Sequence, residues 1–133
     1  MIFVDTGAFL GRFLPSDQYH RPATTLWQRL EQDRERCFTS NFVLDETFTL
    51  LARRSSYSFA ANKARALYGS ATLQILRPTL DDELAALEFF EKFADQEISF
   101  TDCISFVLMR RNRIRRAFSF DQHFERAAFD LFQ

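Results

Sequence analysis

The sequence of 133 residues is poor in the residues that punctuate a chain, with three glycines, three prolines and two cysteines. So few glycines and prolines leave little room for long loops or linkers. The cysteines, Cys37 and Cys103, are not arranged at a paired metal-ligand spacing, which argues against a zinc-binding module. We expect both to be free thiols that pack as small apolar side chains.

Long apolar runs are also missing. No segment approaches the roughly 20 apolar residues needed to cross a bilayer, and Met1 leads straight into a short apolar stretch rather than a signal-peptide pattern. We therefore expect a cytoplasmic protein that does not contact membranes. The length predicts one domain over residues 1–133.

Lysine is scarce. Of the 17 positively charged residues only Lys63 and Lys92 are lysines, and the formal net charge is −1. The overall charge does not indicate nucleic-acid binding, but arginine is the side chain that grips phosphate with two parallel hydrogen bonds. The arginines are densest between Arg110 and Arg116.

Short apolar runs alternate with helical patterns along the chain. Strands are expected at residues 2–4, 36–39, 73–76 and 117–120, with an edge strand possible at 129–132. Helices are expected after residue 7, at 18–34, from 40 or 41, at 58–70, behind a capping box formed by Thr79 and Asp82, from 101 or 102, and around 124–127. This alternation predicts an α/β fold with a parallel sheet of four to five strands and helices on both faces.

Acidic residues stand where strands give way to helices. Asp5 and Asp121 each follow an apolar strand, and Asp102 opens a helix. Each alone is adequately explained as a helix N-cap. Because ligands of open α/β sheets bind outside the carboxyl ends of the strands, however, acids that gather there also suggest a site.

Glu46 differs from these aspartates because it lies inside a predicted helix, on the face that carries Val43 and Leu50. Its neighbour Asp45 points about 100° away around the helix and is expected to face solvent. A glutamate on a largely apolar face requires a partner or a function.

Together, Asp5, Glu46, Asp102 and Asp121 would repel one another if they met at one end of a sheet. A bound cation relieves that repulsion, and an all-oxygen donor set suits hard divalent ions such as Mg²⁺ or Mn²⁺. Such an ion activates water and stabilises phosphoryl-transfer transition states.

Four short stretches carry a family resemblance: Ile2–Thr6, Asn41–Glu46, Ser99–Cys103 and Ser119–Phe124. In order and spacing they resemble the four acidic motifs of PIN domains, and most closely those of the VapC-type toxin ribonucleases. The resemblance covers essentially the whole chain. One departure is Ala127-Ala128-Phe129, where relatives often carry glycine, which puts the local turn in question but not the chemistry.

The resemblance implies a single-strand-directed endoribonuclease that uses Mg²⁺ or Mn²⁺. By position, Asp5 and Asp102 would be the principal metal ligands. Glu46 would hold or orient a water, and Asp121 would complete the site or help to bind a second ion.

Further residues take lesser roles in this interpretation. Thr6 and Ser119 would be supporting hydroxyls. His123 is expected to form hydrogen bonds or to pack rather than to catalyse, and His20 to lie on the surface or on a helix face.

The arginines Arg110, Arg111 and Arg113 end the helix that begins near Asp102, about a dozen ångströms from it. They either complement the helix C-terminus or contact RNA phosphates away from the cleavage point, and we predict RNA contact for a subset. Arg53 and Arg54 stand in the same relation to Glu46.

The resemblance also implies protein partners, namely a cognate antitoxin and a second copy of the chain in a homodimer. The early helices carry Phe9, Leu10, Phe13, Leu14 and Trp27. Most are expected to be core, and any excess would fit a groove for a partner helix.

Two other functions compete with a nuclease. A catalytically silent RNA-binding or protein-interaction module could use the same fold. A phosphoacceptor domain or aspartyl phosphatase is disfavoured, because Gly7 stands where a phosphatase needs a second aspartate and the two lysines lie in helical stretches.

Overall fold

A computed structural model describes all residues from 1 to 133. It contains one five-stranded sheet whose strands are β1 (Ile2–Val4), β2 (Cys37–Ser40), β3 (Leu73–Leu76), β4 (Arg116–Phe118) and β5 (Asp130–Leu131). The strand order is β3-β2-β1-β4-β5, and every neighbouring pair is parallel. The predicted α/β class with a parallel sheet is therefore confirmed.

The first strand lies at the centre of the sheet, and Ile2, Phe3 and Val4 are fully buried. Successive side chains of a strand point to opposite faces, so burial of all three shows that both faces of the sheet are covered. The helices that cover them are α1 (Thr6–Phe13), α2 (His20–Gln32), α3 (Asn41–Arg54), α4 (Tyr57–Tyr68), α5 (Leu80–Lys92), α6 (Phe100–Arg111) and α7 (His123–Arg126).

The predicted elements are present, with ends that shift by at most two residues. The start of α6 shows what caps this helix. Its N-cap is Ser99, whose Oγ accepts the backbone N–H of Asp102 over 3.1 Å. Asp102 therefore lies in the first turn, where its carboxylate is not needed as a cap.

The capping box of α5 is confirmed. Thr79 Oγ1 accepts the N–H of Asp82 over 3.2 Å, and Asp82 Oδ2 accepts the N–H of Thr79 over 2.9 Å. Asp82 also forms an ion pair with Arg111 at the end of α6. Although burial opposes it, hydrogen bonds from Thr79 and Arg111 hold the pKa of Asp82 below its ordinary value. The Asp82 carboxylate thus closes the capping box and also links the start of α5 to the C-terminus of α6.

Phenylalanine rings fill the core around α6. Phe106 is fully buried and packs against Phe89, Phe93, Phe124 and Phe129, with ring centroids between 5.3 and 6.3 Å apart. The contact with Phe129 is stacked and the other three are edge-to-face, and both arrangements add to the free energy gained by burial. The cysteines are free and buried, as predicted.

The turn between α7 and β5 has the strain that the missing glycine suggests. Ala128 adopts a φ of 69°, in the left-handed region. That conformation costs a residue with a Cβ about 1–2 kcal/mol. The turn forms nevertheless, because Phe129 and Phe132 anchor β5 in the core.

The early helices do not carry an exposed apolar patch. Phe9, Leu10, Leu14 and Trp27 are buried, and Trp27 Nε1–H donates to the Ala8 carbonyl over 3.0 Å. The apolar surface that is exposed lies instead on α5, where Leu80, Leu84, Leu87 and Phe90 are 42–69 % accessible. None of the helices combines the length and apolar character required to span a bilayer.

The ends of the two central strands set the position of the site. Val4 of β1 pairs with Phe118 of β4, and the Asp5 N–H donates to the Phe118 carbonyl over 3.0 Å. The residues that follow these strands, Asp5 and Ser119, are therefore neighbours at the carboxyl edge of the sheet.

Candidate active site

All four predicted acids line one open cleft of about 750 Å³ at the carboxyl edge of the sheet. Asp5 directly follows β1 and Asp121 lies in the segment after β4, whereas Glu46 belongs to α3 and Asp102 to α6. Asp45 is solvent-exposed, as the helical spacing predicts. The acids that are far apart along the chain thus meet in three dimensions.

Asp5 occupies the deepest position. It precedes α1, but its side chain makes no capping hydrogen bond. Ser119 Oγ–H instead donates to Asp5 Oδ2 over 2.8 Å. Burial and then the charge of Asp102 raise the pKa of Asp5 from 3.8 to about 8, against the lowering effect of Ser119.

Asp102 is also buried, and burial raises its pKa. The His123 contact lowers it, whereas the charges of Asp121 and Glu46 raise it further. The acids therefore interact electrostatically across the cleft, and a negative charge on one disfavours ionisation of the others.

His123 links two of the acids. Its Nδ1 lies 3.0 Å from Asp102 Oδ2 and 3.0 Å from Asp121 Oδ2. The predicted hydrogen-bonding role of His123 is therefore seen, but with the site acids as its partners. The donor atoms of Asp102, Asp121 and His123 lie within 4.8 Å of one another, close enough to share a metal ion. Asp5 and Glu46 line the same cleft outside this tight trio.

Two hydroxyls lie among the acids. Besides donating to Asp5, the Ser119 Oγ accepts the N–H of Asp121 over 3.0 Å, so one hydroxyl sets the relative position of two carboxylates. Thr6 also lines the cleft, and its Oγ1 is buried without any hydrogen-bond partner.

Comparison with known proteins identifies this architecture. The PIN-domain family profile matches residues 2–130. The chain belongs to the PIN-domain family.

Named relatives define the type of PIN domain. The 23S rRNA-specific endonuclease VapC20 of Mycobacterium tuberculosis is 37% identical over 129 residues, covering 97% of this chain and 95% of the relative. A VapC ribonuclease of Archaeoglobus fulgidus is 30% identical over 124 residues, 91% of this chain and 77% of the relative. The predicted endoribonuclease class and VapC-type toxin relationship are confirmed.

Solved structures agree with the sequence relatives. The crystal structure of M. tuberculosis VapC20, described as a sarcin–ricin loop cleaving toxin, superposes with a TM-score of 0.86 at 35% identity and covers 97% of this chain and 96% of that chain. FitAcB from Neisseria gonorrhoeae shares the fold, with a TM-score of 0.67 at 15% identity over 100% of this chain and 97% of that chain.

The arginine side chains at the end of α6 have different surroundings in this PIN domain. Arg111 pairs with Asp82, and the guanidinium of Arg110 lies 4.7 Å from the centre of the Phe89 ring. Arg113 is exposed, forms no ion pair and has a φ of 57° just after the helix end. Arg54 pairs with Asp17 over 2.7 Å. The prediction that some of these side chains contact RNA stays a prediction.

Several cleft residues were not assigned to the site from the sequence, among them Tyr19, Glu97, Phe120 and Arg126. Phe120 lies inside the last acidic motif and Arg126 follows it by two residues, so proximity to Asp121 is a signal that could have found them. Tyr19 comes from the loop before α2 and gives no such signal. His20, next in the chain, is half-buried at the start of α2, where its Nδ1 contacts the Gly11 carbonyl at 2.7 Å.

Proposed function

We propose that this chain is the toxin of a type II toxin–antitoxin pair and hydrolyses RNA phosphodiester bonds with Mg²⁺ or Mn²⁺ in its acidic cleft. The observation that carries the proposal is that Asp5 is buried in one cleft with three other carboxylates. Burial and then the charges of Asp102 and Glu46 raise the pKa of Asp5 to about 8. Such a cluster is unfavourable unless a proton or a cation neutralises it.

The donor chemistry of the cleft fits a hard divalent ion. The residues that would hold it are Asp5 and Asp102 as principal ligands, with Glu46 and Asp121 as further ligands directly or through water. The buried Thr6 Oγ1, which has no hydrogen-bond partner, is a further oxygen on a residue that lines the cleft. When bound, the ion would activate a water and stabilise the phosphoryl transition state.

The protein side chains have distinct roles in this proposal. Ser119 orients the carboxylate of Asp5 and the backbone of Asp121 through one hydroxyl. His123 sets the separation of Asp102 and Asp121. Glu46, the half-buried acid of α3, orients the attacking water and accepts its proton.

We infer that the RNA substrate is an unpaired loop of a structured RNA. The support comes from the VapC20 relatives, whose names specify 23S rRNA and the sarcin–ricin loop. Bases splayed out of a loop are accessible to an open cleft in a way that paired bases are not. Arg113 and Arg110, and Arg111 to the extent that Asp82 leaves it free, would bind flanking phosphates about a dozen ångströms from Asp102.

The proposed protein partners are a cognate antitoxin and a second copy of the chain, in the cytoplasm where the RNA substrate resides. For the homodimer we propose the exposed face of α5, because Leu80, Leu84, Leu87 and Phe90 recur at helical spacing and remain accessible. A two-fold interface brings the same patch of each copy together. Leu84→Glu should convert a dimer to a monomer in light scattering, and an unchanged mass would exclude this face.

A cleavage assay tests the activity. Purified protein should cut an RNA that contains the sarcin–ricin loop in the presence of Mn²⁺ or Mg²⁺ and stop when a chelator is added. Asp102→Asn should lose most of the activity. The matched pair Glu46→Gln and Asp45→Asn removes one charge each from adjacent positions, and only the former should lose activity. Full activity of Asp102→Asn, or cleavage in chelator, would refute the proposal.

A further inference from the structure

Two aromatic rings stack at the rim of the acidic cleft. The centroids of Tyr19 and Phe120 lie 4.4 Å apart, and their planes differ by 4°. Both residues line the cleft. Tyr19 is 37% accessible, and no second aromatic ring or cation packs on it.

The inner ring of the pair is held firmly. Phe118 and Phe120 form a T-shaped pair with ring centroids 6.0 Å apart. On another side Gly7 packs close to the ring, since a Cβ on Gly7 would lie 3.7 Å from Phe120 Cδ2. Phe120 also lies between Ser119 and Asp121 in the chain. Because Phe120 and Asp121 line the same cleft, the stack shares that cleft with the carboxylates.

The outer ring is positioned through its backbone. The Tyr19 N–H donates to Asp17 Oδ2 over 2.9 Å, and Arg54 pairs with the other oxygen of Asp17 over 2.7 Å. These bonds fix the loop that places Tyr19 over Phe120. The pair is therefore pre-organised without a ligand, which lowers the entropy cost of binding one.

The negative charge of the cleft favours RNA contacts that do not depend on phosphate groups. Its acids repel the RNA backbone, and Arg126 is the single arginine that lines it. Stacking of a base on an aromatic ring adds affinity without relying on phosphate contacts, and it tolerates any base because each has a π-face.

We propose that the exposed face of Tyr19, supported by Phe120, is a stacking platform for one unpaired nucleobase next to the cleaved phosphate. This inference rests on the proposed ribonuclease function and adds a subsite to it. The platform captures a base already released from its stem, so it favours loops over paired RNA.

A double-mutant cycle, in which Tyr19 is substituted in the protein and single bases are removed from the RNA, tests the platform. The RNAs are the sarcin–ricin stem-loop and versions in which each loop base in turn is replaced by an abasic residue. Loss of one stacked base should raise KM about 5- to 150-fold at a single loop position. Tyr19→Ala should raise the KM of intact RNA by a similar factor with kcat unchanged.

The combination decides between stacking and a general structural effect. Tyr19→Ala should show no further penalty for the abasic residue at the sensitive position, because both changes remove the same contact. Tyr19→Phe keeps the ring and should behave as wild type. Tyr19→Leu keeps apolar cover over Phe120 but lacks a ring and should behave as Tyr19→Ala. Tyr57→Ala, which truncates a tyrosine that is 83% exposed outside the cleft, is the matched control.

The outcomes separate the two proposals. If wild type cleaves RNA but no abasic position raises KM, or if the two penalties add in Tyr19→Ala, the platform is wrong and the nuclease stands. If wild type does not cleave, the nuclease proposal fails. The platform is then tested by the same comparison of protein and RNA changes, with the dissociation constants of intact and abasic RNA measured in place of KM. Melting curves verify that each variant is folded.

Discussion

Ser119 and Asp5 are joined by a hydrogen bond of 2.8 Å although 114 residues separate them in the chain. The pairing of Val4 with Phe118 produces this contact, because it brings the ends of β1 and β4 side by side. The same Ser119 hydroxyl accepts the N–H of Asp121. One buried side chain therefore relates the first acidic motif to the last.

Removal of that hydroxyl should impair the site without unfolding it. In Ser119→Ala, Asp5 loses the hydrogen bond that favours its charged form, and the Asp121 N–H loses its acceptor. We expect the affinity for Mn²⁺ to fall about 10- to 100-fold, measured by calorimetry. Ser119→Thr keeps a hydroxyl and should stay close to wild type. Equal Mn²⁺ affinity in all three proteins would contradict this role.

His123 should influence metal affinity more than the maximal rate. It contacts Asp102 and Asp121 at 3.0 Å each, so His123→Ala leaves those carboxylates free to separate. The Mn²⁺ concentration for half-maximal cleavage should rise about 10-fold or more. His20→Ala is the control, since His20 contacts Gly11 rather than an acid. An unchanged metal requirement in His123→Ala would show that its contacts are incidental.

The stability of the metal-free protein should fall as pH rises. The pKa of Asp5 is 3.8 ordinarily and about 8 in the folded protein, so between these values the folded state binds more protons than the unfolded state. The contribution of Asp5 to stability is then greatest below about pH 4 and is lost as the pH rises to about 8. Thermal melting in chelator should show this decline, and Asp5→Asn should flatten it. A melting temperature that rises with pH in this window would contradict the raised pKa.

Substitutions of Arg111 and Arg113 should have different effects, the first on stability and the second on RNA binding. Arg111→Gln breaks the pair with Asp82, whose side chain is 8% exposed, although the 56% exposure of Arg111 limits the loss. We expect about 1 kcal/mol of destabilisation in urea unfolding. Arg113→Gln has no ion pair to lose and should leave stability unchanged while making RNA affinity less salt-dependent. A stability loss shared by both variants would exclude this division.

Ala128→Gly should stabilise the protein. Ala128 has a φ of 69°, and glycine relieves that strain at the cost of greater freedom in the unfolded chain. The expected net gain is about 0.5–1 kcal/mol in urea unfolding. Ala127→Gly is the matched control, because Ala127 has a φ of −88° and is buried, and it should destabilise. A loss of stability in Ala128→Gly would contradict the strain.

The sequence predicted the acids of the site because their positions follow from local rules. An acid directly after a buried strand lies at the carboxyl edge of a parallel sheet, and the separation of Glu46 from Asp45 follows from the helical period. The Ser99 cap was also open to prediction, because serine three residues before Asp102 is a capping pattern. The strand order and the contact of His123 with Asp102 were not, because they depend on tertiary pairing.

The stacked pair of Tyr19 and Phe120 shows most clearly which contacts cannot be predicted from the sequence. Phe120 stands inside a recognised motif, but Tyr19 belongs to a loop whose course is set by Asp17, Arg54 and the start of α2. No periodicity or spacing connects the two rings. Contacts of this kind emerge only when the chain is folded, and here they add an uncharged surface to an acidic cleft.

The most direct test of the account is anomalous X-ray diffraction from crystals of the wild-type protein soaked in Mn²⁺. The account predicts an anomalous peak in the cleft within coordination distance of carboxylate oxygens of Asp5 and Asp102, and its loss in Asp102→Asn. A cleft that stays free of anomalous signal at saturating Mn²⁺, while Asp5 and Asp102 keep their positions, would contradict the claim that these acids form a metal site.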